Sequence, residues 1–340
     1  MSYQAEVSVR RRHNGCRRKE QDTTDEVLED DAITDAGLDQ EGTTNTRKED
    51  EELDSSAMAV LAVIFDFDDT LLPDSTSALL EAHGIDSKEF WKVRAKELVD
   101  QGYDPPLAYL NLLLQEVGAD KPLGELTDEY LRDFGSQLDG TWFPGLPELF
   151  DDLLEETQGH RDVSLEFYVI SSGLQAIIEG SQHVQKYFRG VYGCQLAEDP
   201  GSGVLARVKR CVTFTEKTRF LFEINKGISQ AEAATQPHLV NRQVEEEDRL
   251  VPLKNMIYVG DGLTDIPCFS VIGNAGGTVF GVFQKGKESA KQAFQQFLQT
   301  GRVRSAHHPD FREDAELGGM LRVAVTSACS RLVLKSESAL

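Results

Sequence analysis

Cysteine is scarce in this chain. Its five copies (Cys16, Cys194, Cys211, Cys268 and Cys329) are scattered with no CxxC spacing, which argues against both a disulfide framework and a zinc site and fits a reducing compartment. Positive charge is also in deficit: 35 Lys and Arg stand against 58 Asp and Glu, a net charge of −23. Nucleic acid and anionic membrane surfaces would repel such a chain, so neither is an expected partner. No apolar run is expected to reach the ~20 residues a bilayer requires, and the N-terminus is expected to lack an apolar signal-peptide core. A cytoplasmic protein without a membrane partner is the expectation.

With 340 residues and 40% hydrophobic residues, the chain can build a sizeable core. Composition changes near residue 57. Residues 1–57 open on the basic cluster "RRRHNGCRRK" and continue into an acidic stretch without a periodic apolar face, so they read as a disordered, charged tail.

Beyond it come short apolar runs of strand length: "AVLAVIF" (59–65), "LEFYVI" (165–170), "VYGCQLA" (191–197), "NMIYVG" (255–260) and "TVFGVF" (278–283). Runs that are apolar throughout belong to parallel strands covered on both faces, which predicts an α/β, Rossmann-like sheet sandwiched by helices. About 95 residues separate the first two runs, far more than a crossover helix needs. Apolar residues recur there at helical spacing, interrupted at Gly84, Gly102, Pro105, Pro106 and Gly118. The predicted organisation is a core of residues 58–75 and 141–335 with a helical cap inserted at 76–140. The apolar stretch "LGGMLRVAVTSACSRLVL" is expected to pack as a helix on the core or on a second subunit.

Ligands of open parallel sheets bind beyond the carboxyl ends of the strands. The first run ends in "FDFDDT", delivering Asp66, Asp68 and Thr70; the second ends in "YVISSG", delivering Ser171, Ser172 and Gly173; the fourth ends in "YVGDGLTD", delivering Asp261 and Asp265. Four carboxylates gathered at one edge would repel and raise one another's pKa unless a cation sat among them. Oxygen ligands without His or Cys favour Mg²⁺, and Mg²⁺ suggests phosphate. Asp66 is then a nucleophile able to form an aspartyl-phosphate, and Asp68 a general acid and base. Ser171, with backbone N–H groups of Ser172 and Gly173 at a helix start, would hold phosphate oxygens. A lysine is needed to offset their charge; Lys217, at the start of a helix, is the candidate, with Lys226 near its end as the alternative. His307 and His308, in a Pro-containing loop, read as surface residues without a role.

These four motifs, in this order, resemble those of the haloacid dehalogenase (HAD) superfamily, over residues 58 to about 300. The helical insert, and the stretch "VYGCQLAEDPGSGVLARVKRCVTFTEKT" with its extended strand and hairpin, resemble the phosphoserine phosphatase-like subgroup with a helical cap. One departure stands in the first motif, where Asp69 replaces the common glycine. The resemblance implies that Asp66, the Asp68 carbonyl and Asp261 ligate Mg²⁺ with support from Asp265, and that a mobile cap selects the substrate. The expected activity is a Mg²⁺-dependent phosphatase acting on a small phosphorylated metabolite. A phosphomutase or phosphotransferase, or a catalytically idle phospho-ligand binder, is the alternative.

Overall fold

A computed structural model of the chain describes residues 58–160, 162–284, 294–303 and 305–337. The tail expected at 1–57 lies outside them.

Seven strands form one sheet in the order β4-β3-β2-β1-β5-β6-β7. They are β1 (Ala59–Phe65), β2 (Val163–Leu174), β3 (Phe188–Glu198), β4 (Leu205–Arg210), β5 (Met256–Gly260), β6 (Thr278–Val282) and β7 (Ser305–His307). Every pairing is parallel except β3 with β4, which is antiparallel. Strand β1 is central because it is the most thoroughly apolar. Val60, Ala62 and Ile64 enter one core, while Leu61, Val63 and Phe65 enter the other. Both faces of its pleat are therefore covered, as a parallel strand requires. Burying Phe65 completely contributes about 1.5–3 kcal/mol.

The helices that matter below are α1 (Ser75–Ala82), α2 (Pro105–Gln115), α3 (Asp128–Gln137), α4 (Glu148–Gln158), α5 (Gln175–Gly180), α6 (Glu216–Asn225), α7 (Ile266–Asn274) and α8 (Glu316–Glu337). Between β1 and β2 the described secondary structure is helical apart from the single bridge Asp68–Leu72. The insert includes a π-helical turn at Phe90–Ala95. Local chemistry sets its ends: the Thr127 hydroxyl caps α3 by accepting from the Tyr130 N–H, and prolines open α2 where an N–H would have no helical partner.

Helix α8 packs on β1, β2 and α4, burying Leu317, Leu321, Val325, Ala328 and Cys329. Its stretch Glu316–Ser336, with mean hydropathy 1.3, is long and apolar enough to cross a membrane by length and composition. That corrects the expectation that no such run exists; the apolar residues arise from a face laid on the sheet together with exposed Met320, Val323 and Leu334. A second correction concerns His307, which is buried at the end of β7 with Glu316 beside it, rather than on a surface loop. His308 is exposed.

Candidate active site

The strand register brings three motifs to one level. Phe65, the last residue of β1, faces Val169 of β2 on one side and Val259 of β5 on the other. Asp66 follows Phe65 and donates its N–H to the Val259 carbonyl at 2.8 Å. Two residues past the same level stand Ser171 and Asp261. Since β2 and β5 flank β1 and their connections diverge to opposite sides, a crevice opens at this point of the sheet.

The floor of that crevice is a buried charge network. Lys217, in the first turn of α6, has no exposed surface; its Nζ lies 3.1 Å from Asp66 Oδ1 and 2.7 Å from Asp265 Oδ1. Asp265 is equally buried. Its Oδ1 also accepts from the Tyr258 hydroxyl at 2.7 Å, and its Oδ2 accepts from the Gly262 N–H at 2.9 Å. A Cβ on Gly260 would come within 2.5 Å of Asp265 Oδ2, so the last residue of β5 must be small. Tyr258 was missed by sequence reasoning, because a tyrosine in an apolar run looks like core until the partner of its hydroxyl is known. Lys226 goes elsewhere: its Nζ donates to the Val240 and Arg242 carbonyls.

Asp68 stands apart from this network. Its Oδ1 accepts the Ser75 N–H at 2.7 Å, tying it to the first residue of α1. Asp69, at the position where glycine is common, adopts a left-handed φ of 57°. Asparagine and aspartate tolerate that region better than most residues. Its Oδ1 accepts from Gln284 Nε2 at 2.9 Å.

On the β2 side, strand structure runs through Leu174 and α5 starts only at Gln175. The helix start expected at Ser172 and Gly173 therefore lies further along. Ser171 is buried and its Oγ accepts the Gly173 N–H at 2.9 Å. Glycine is required at 173 for a different reason than an open N–H: a Cβ there would sit 2.2 Å from Asp68 Oδ2. The buried hydroxyls of Ser172 and Thr70 have no hydrogen-bond partner among the described residues. Ser172 lines the crevice; Thr70 is fully buried and does not.

The donor set fits a hard divalent cation. Carboxylate oxygens of Asp66, Asp261 and Asp265 lie within 4.8 Å of one another, and an octahedral ion with ligands at ~2.1 Å spans about 4 Å between opposite oxygens. Asp261 takes no hydrogen bond from any described residue, whereas the oxygens of Asp265 are occupied by three donors. Asp66 and Asp261 are thus the side chains with ligand capacity to spare. Burial raises the Asp66 carboxyl to about 7 despite the attraction of Lys217. Burial, followed by the charge of Asp66, pushes Asp261 well above the carboxylate range. Asp68 is likewise raised, by burial and then by Asp74.

The nucleophile-type, serine, lysine and terminal acidic motifs thus meet at one sheet edge, in the chain order and strand positions that the resemblance requires. In fold and motif order the chain resembles the haloacid dehalogenase superfamily. No family model matches it. A protein of Borreliella burgdorferi described as uncharacterized is 30% identical over 237 residues, spanning 63% of this chain and 79% of that protein, so the two are members of one family. Among solved structures, a HAD-family hydrolase from Salmonella enterica serovar Typhi is similar at 14% identity and a TM-score of 0.47, over 74% of this chain and 68% of that one. The HAD hydrolase YfnB of Bacillus subtilis, solved with magnesium, is similar at 16% identity and a TM-score of 0.34, over 71% and 99%.

The crevice measures ≈ 290 Å³. Its acidic floor of Asp66, Asp68 and Asp261 faces a wall of Trp91, Pro105, Pro106 and Tyr109 contributed by the insert. Trp91 and Tyr109 are in ring contact at 5.3 Å. The Tyr109 hydroxyl donates to the Ser172 carbonyl at 2.7 Å, joining the insert to β2.

Proposed function

We propose that this chain is a Mg²⁺-dependent phosphatase that hydrolyses a small phosphomonoester through an aspartyl-phosphate on Asp66. The observation that carries the reading is the pairing of two carboxyls with different partners in one crevice: Asp66, 3.1 Å from the Lys217 ammonium, and Asp68, outside that contact and tied instead to the Ser75 N–H. Two carboxyls set in such different surroundings suit a nucleophile and an acid/base.

In this reading the ionised Asp66 attacks phosphorus and the P–O bond to the alcohol breaks. The leaving oxygen takes the proton of Asp68. Asp68, now ionised, removes a proton from water as that water attacks the phospho-aspartate, releasing inorganic phosphate and restoring both carboxyls. Asp66, the Asp68 carbonyl and Asp261 would hold Mg²⁺, with Asp265 fixing Lys217 in support. Bound there, the ion would neutralise phosphate oxygens and the crowded carboxylates. Lys217 orients Asp66 and adds positive potential beneath the transferring group. Ser171 and Ser172 stand on the opposite side of the crevice, and the unpartnered Ser172 hydroxyl suits a phosphate oxygen.

The crevice volume suits a small metabolite, since ligand pockets start near ~300 Å³. We read the insert at 76–140 as a cap that selects this substrate, as in the phosphoserine phosphatase-like subgroup, acting on a cytoplasmic metabolite. Release of phosphate from p-nitrophenyl phosphate, with and without Mg²⁺, tests the reading. Phosphate release only with the metal is expected; no release under either condition would overturn it.

A further inference from the structure

Beside the site lies a thiol pair that the mechanism does not use. Gln195 of β3 faces Arg210 of β4 in the antiparallel ladder, so Cys194 and Cys211 stand opposite each other one step beyond. Opposed residues of antiparallel strands have Cα atoms ~4.5–5.5 Å apart, within the range that a disulfide spans. The Cys211 thiol is close enough to Cys194 to perturb its acidity. Cys194 is buried and Cys211 is partly exposed.

The surroundings connect this pair to the catalytic wall in two places. Cys194 Sγ donates to the Ser172 carbonyl at 3.2 Å, the same oxygen that accepts from Tyr109. It also accepts the Val212 N–H at 3.2 Å, five residues before Lys217.

We propose that Cys194 and Cys211 are a reversible redox pair, which hydrogen peroxide closes to a disulfide and which slows turnover when closed. The neighbouring Cys211 thiol holds the Cys194 thiol below its ordinary value and so favours the reactive thiolate. Cys194 also borders a cleft of ≈ 400 Å³ lined by Leu131, Gln175, Leu196 and Lys209, wide enough to admit a peroxide. The Cys194 thiolate attacks one peroxide oxygen; the O–O bond breaks, leaving a sulfenic acid and a hydroxide that is protonated to water. The Cys211 sulfur then displaces the sulfenic oxygen, which leaves as a second water. Two thiols lose two electrons, and the peroxide is reduced to two waters.

Closing the bond brings the sulfurs to ~2.05 Å and removes the S–H that Cys194 offers to Ser172. The Ser172 carbonyl then keeps Tyr109 as its only donor of the two, and both Ser172 and the segment leading to Lys217 must shift. The slowing of turnover rests on the phosphatase reading; formation of the disulfide does not.

The test treats the full chain with hydrogen peroxide, blocks remaining thiols, and maps peptides without reduction while following p-nitrophenyl phosphate hydrolysis. A linked Cys194–Cys211 peptide, a rate reduced at least several-fold, and recovery of both in dithiothreitol are expected. Cys211→Ser, or Cys211→Ala should the serine variant fold poorly, should keep its untreated rate and lose the peroxide response. No linked peptide, or oxidation of single thiols only, overturns the pair. A linked peptide with an unchanged rate overturns the regulation. A chain with no activity before oxidation would count against the phosphatase reading, while the peptide map would still decide the pair.

Discussion

Lys217 Nζ lies 3.1 Å from Asp66 Oδ1, and the lysine side chain is wholly shielded from solvent while that of Asp66 is 9% exposed. A buried ammonium is costly unless its partners remain charged and close. Here Asp265 is the second partner, at 2.7 Å, so the lysine is held from two sides and presents one of its donors to Asp66. Lys217→Ala is expected to lower kcat/KM at least ~100-fold, as for loss of one electrostatic transition-state contact. It should also destabilise the fold by about 3–5 kcal/mol in urea unfolding, because Asp265 stays buried without its counter-charge. Lys226→Ala, at a group that among the described residues bonds to the Val240 and Arg242 carbonyls, should stay within a few-fold of wild type. Equal effects of the two substitutions would contradict the assignment.

Asp66 and Asp68 are predicted to fail differently. Asp66→Asn should abolish turnover, since no other carboxylate takes its place at the end of β1. Asp68→Asn should retain the nucleophile and slow the reaction ~10²–10⁴-fold, the usual contribution of a general acid. Steady-state kinetics on p-nitrophenyl phosphate separates them, and comparable residual rates would refute the division of roles.

Metal dependence carries a pH signature. Activity should vanish in EDTA, return with Mg²⁺, and be inhibited by Ca²⁺, whose longer and looser coordination misplaces the nucleophile. Without metal, burial raises Asp66 to about 7, so below that pH the carboxyl is protonated and the ion must displace a proton to bind. Apparent Mg²⁺ affinity should therefore fall as pH drops through about 7, with proton release on binding growing in step. Calorimetric titration in buffers of different ionisation enthalpy measures both; affinity independent of pH from 5.5 to 8, roughly the span over which such a carboxyl titrates, would show that Asp66 is not a ligand.

Gly173→Ala tests the approach of β2 to the acid. A Cβ there would meet Asp68 Oδ2 at 2.2 Å and Ser171 Oγ at 3.3 Å, so Asp68 must swing away from the crevice. The expected outcome is a loss of at least ~10-fold in kcat, with a smaller change in KM because the phosphate-side hydroxyls remain. An unchanged kcat would mean that Asp68 moves freely without cost.

Much of this molecule was legible in one dimension because its signals are local. Continuous apolar runs marked β1, β2, β3, β5 and β6, since a strand covered on both faces cannot alternate. Acidic residues directly after those runs marked the strand ends where ligands bind, and the long interval after β1 marked a helical insert. Strand β7 escaped notice because three residues carry too little pattern, and so did the burial of His307 at its end.

What the tertiary structure decided is which of these groups meet. That Lys217 stands beside Asp66 and Asp265, while Lys226 just past the end of α6 turns to the Val240 and Arg242 carbonyls, is visible only in three dimensions. The Tyr258 hydroxyl, the Asp68 contact that demands glycine at 173, and the Trp91–Tyr109 wall all join residues distant in sequence or on different faces. Cys194 and Cys211 likewise become neighbours only through the β3–β4 register. The physical reason is the same in each case: residue type and spacing set backbone state and chemical capacity, but the distance between two side chains from separate elements is set by packing, which no local pattern encodes.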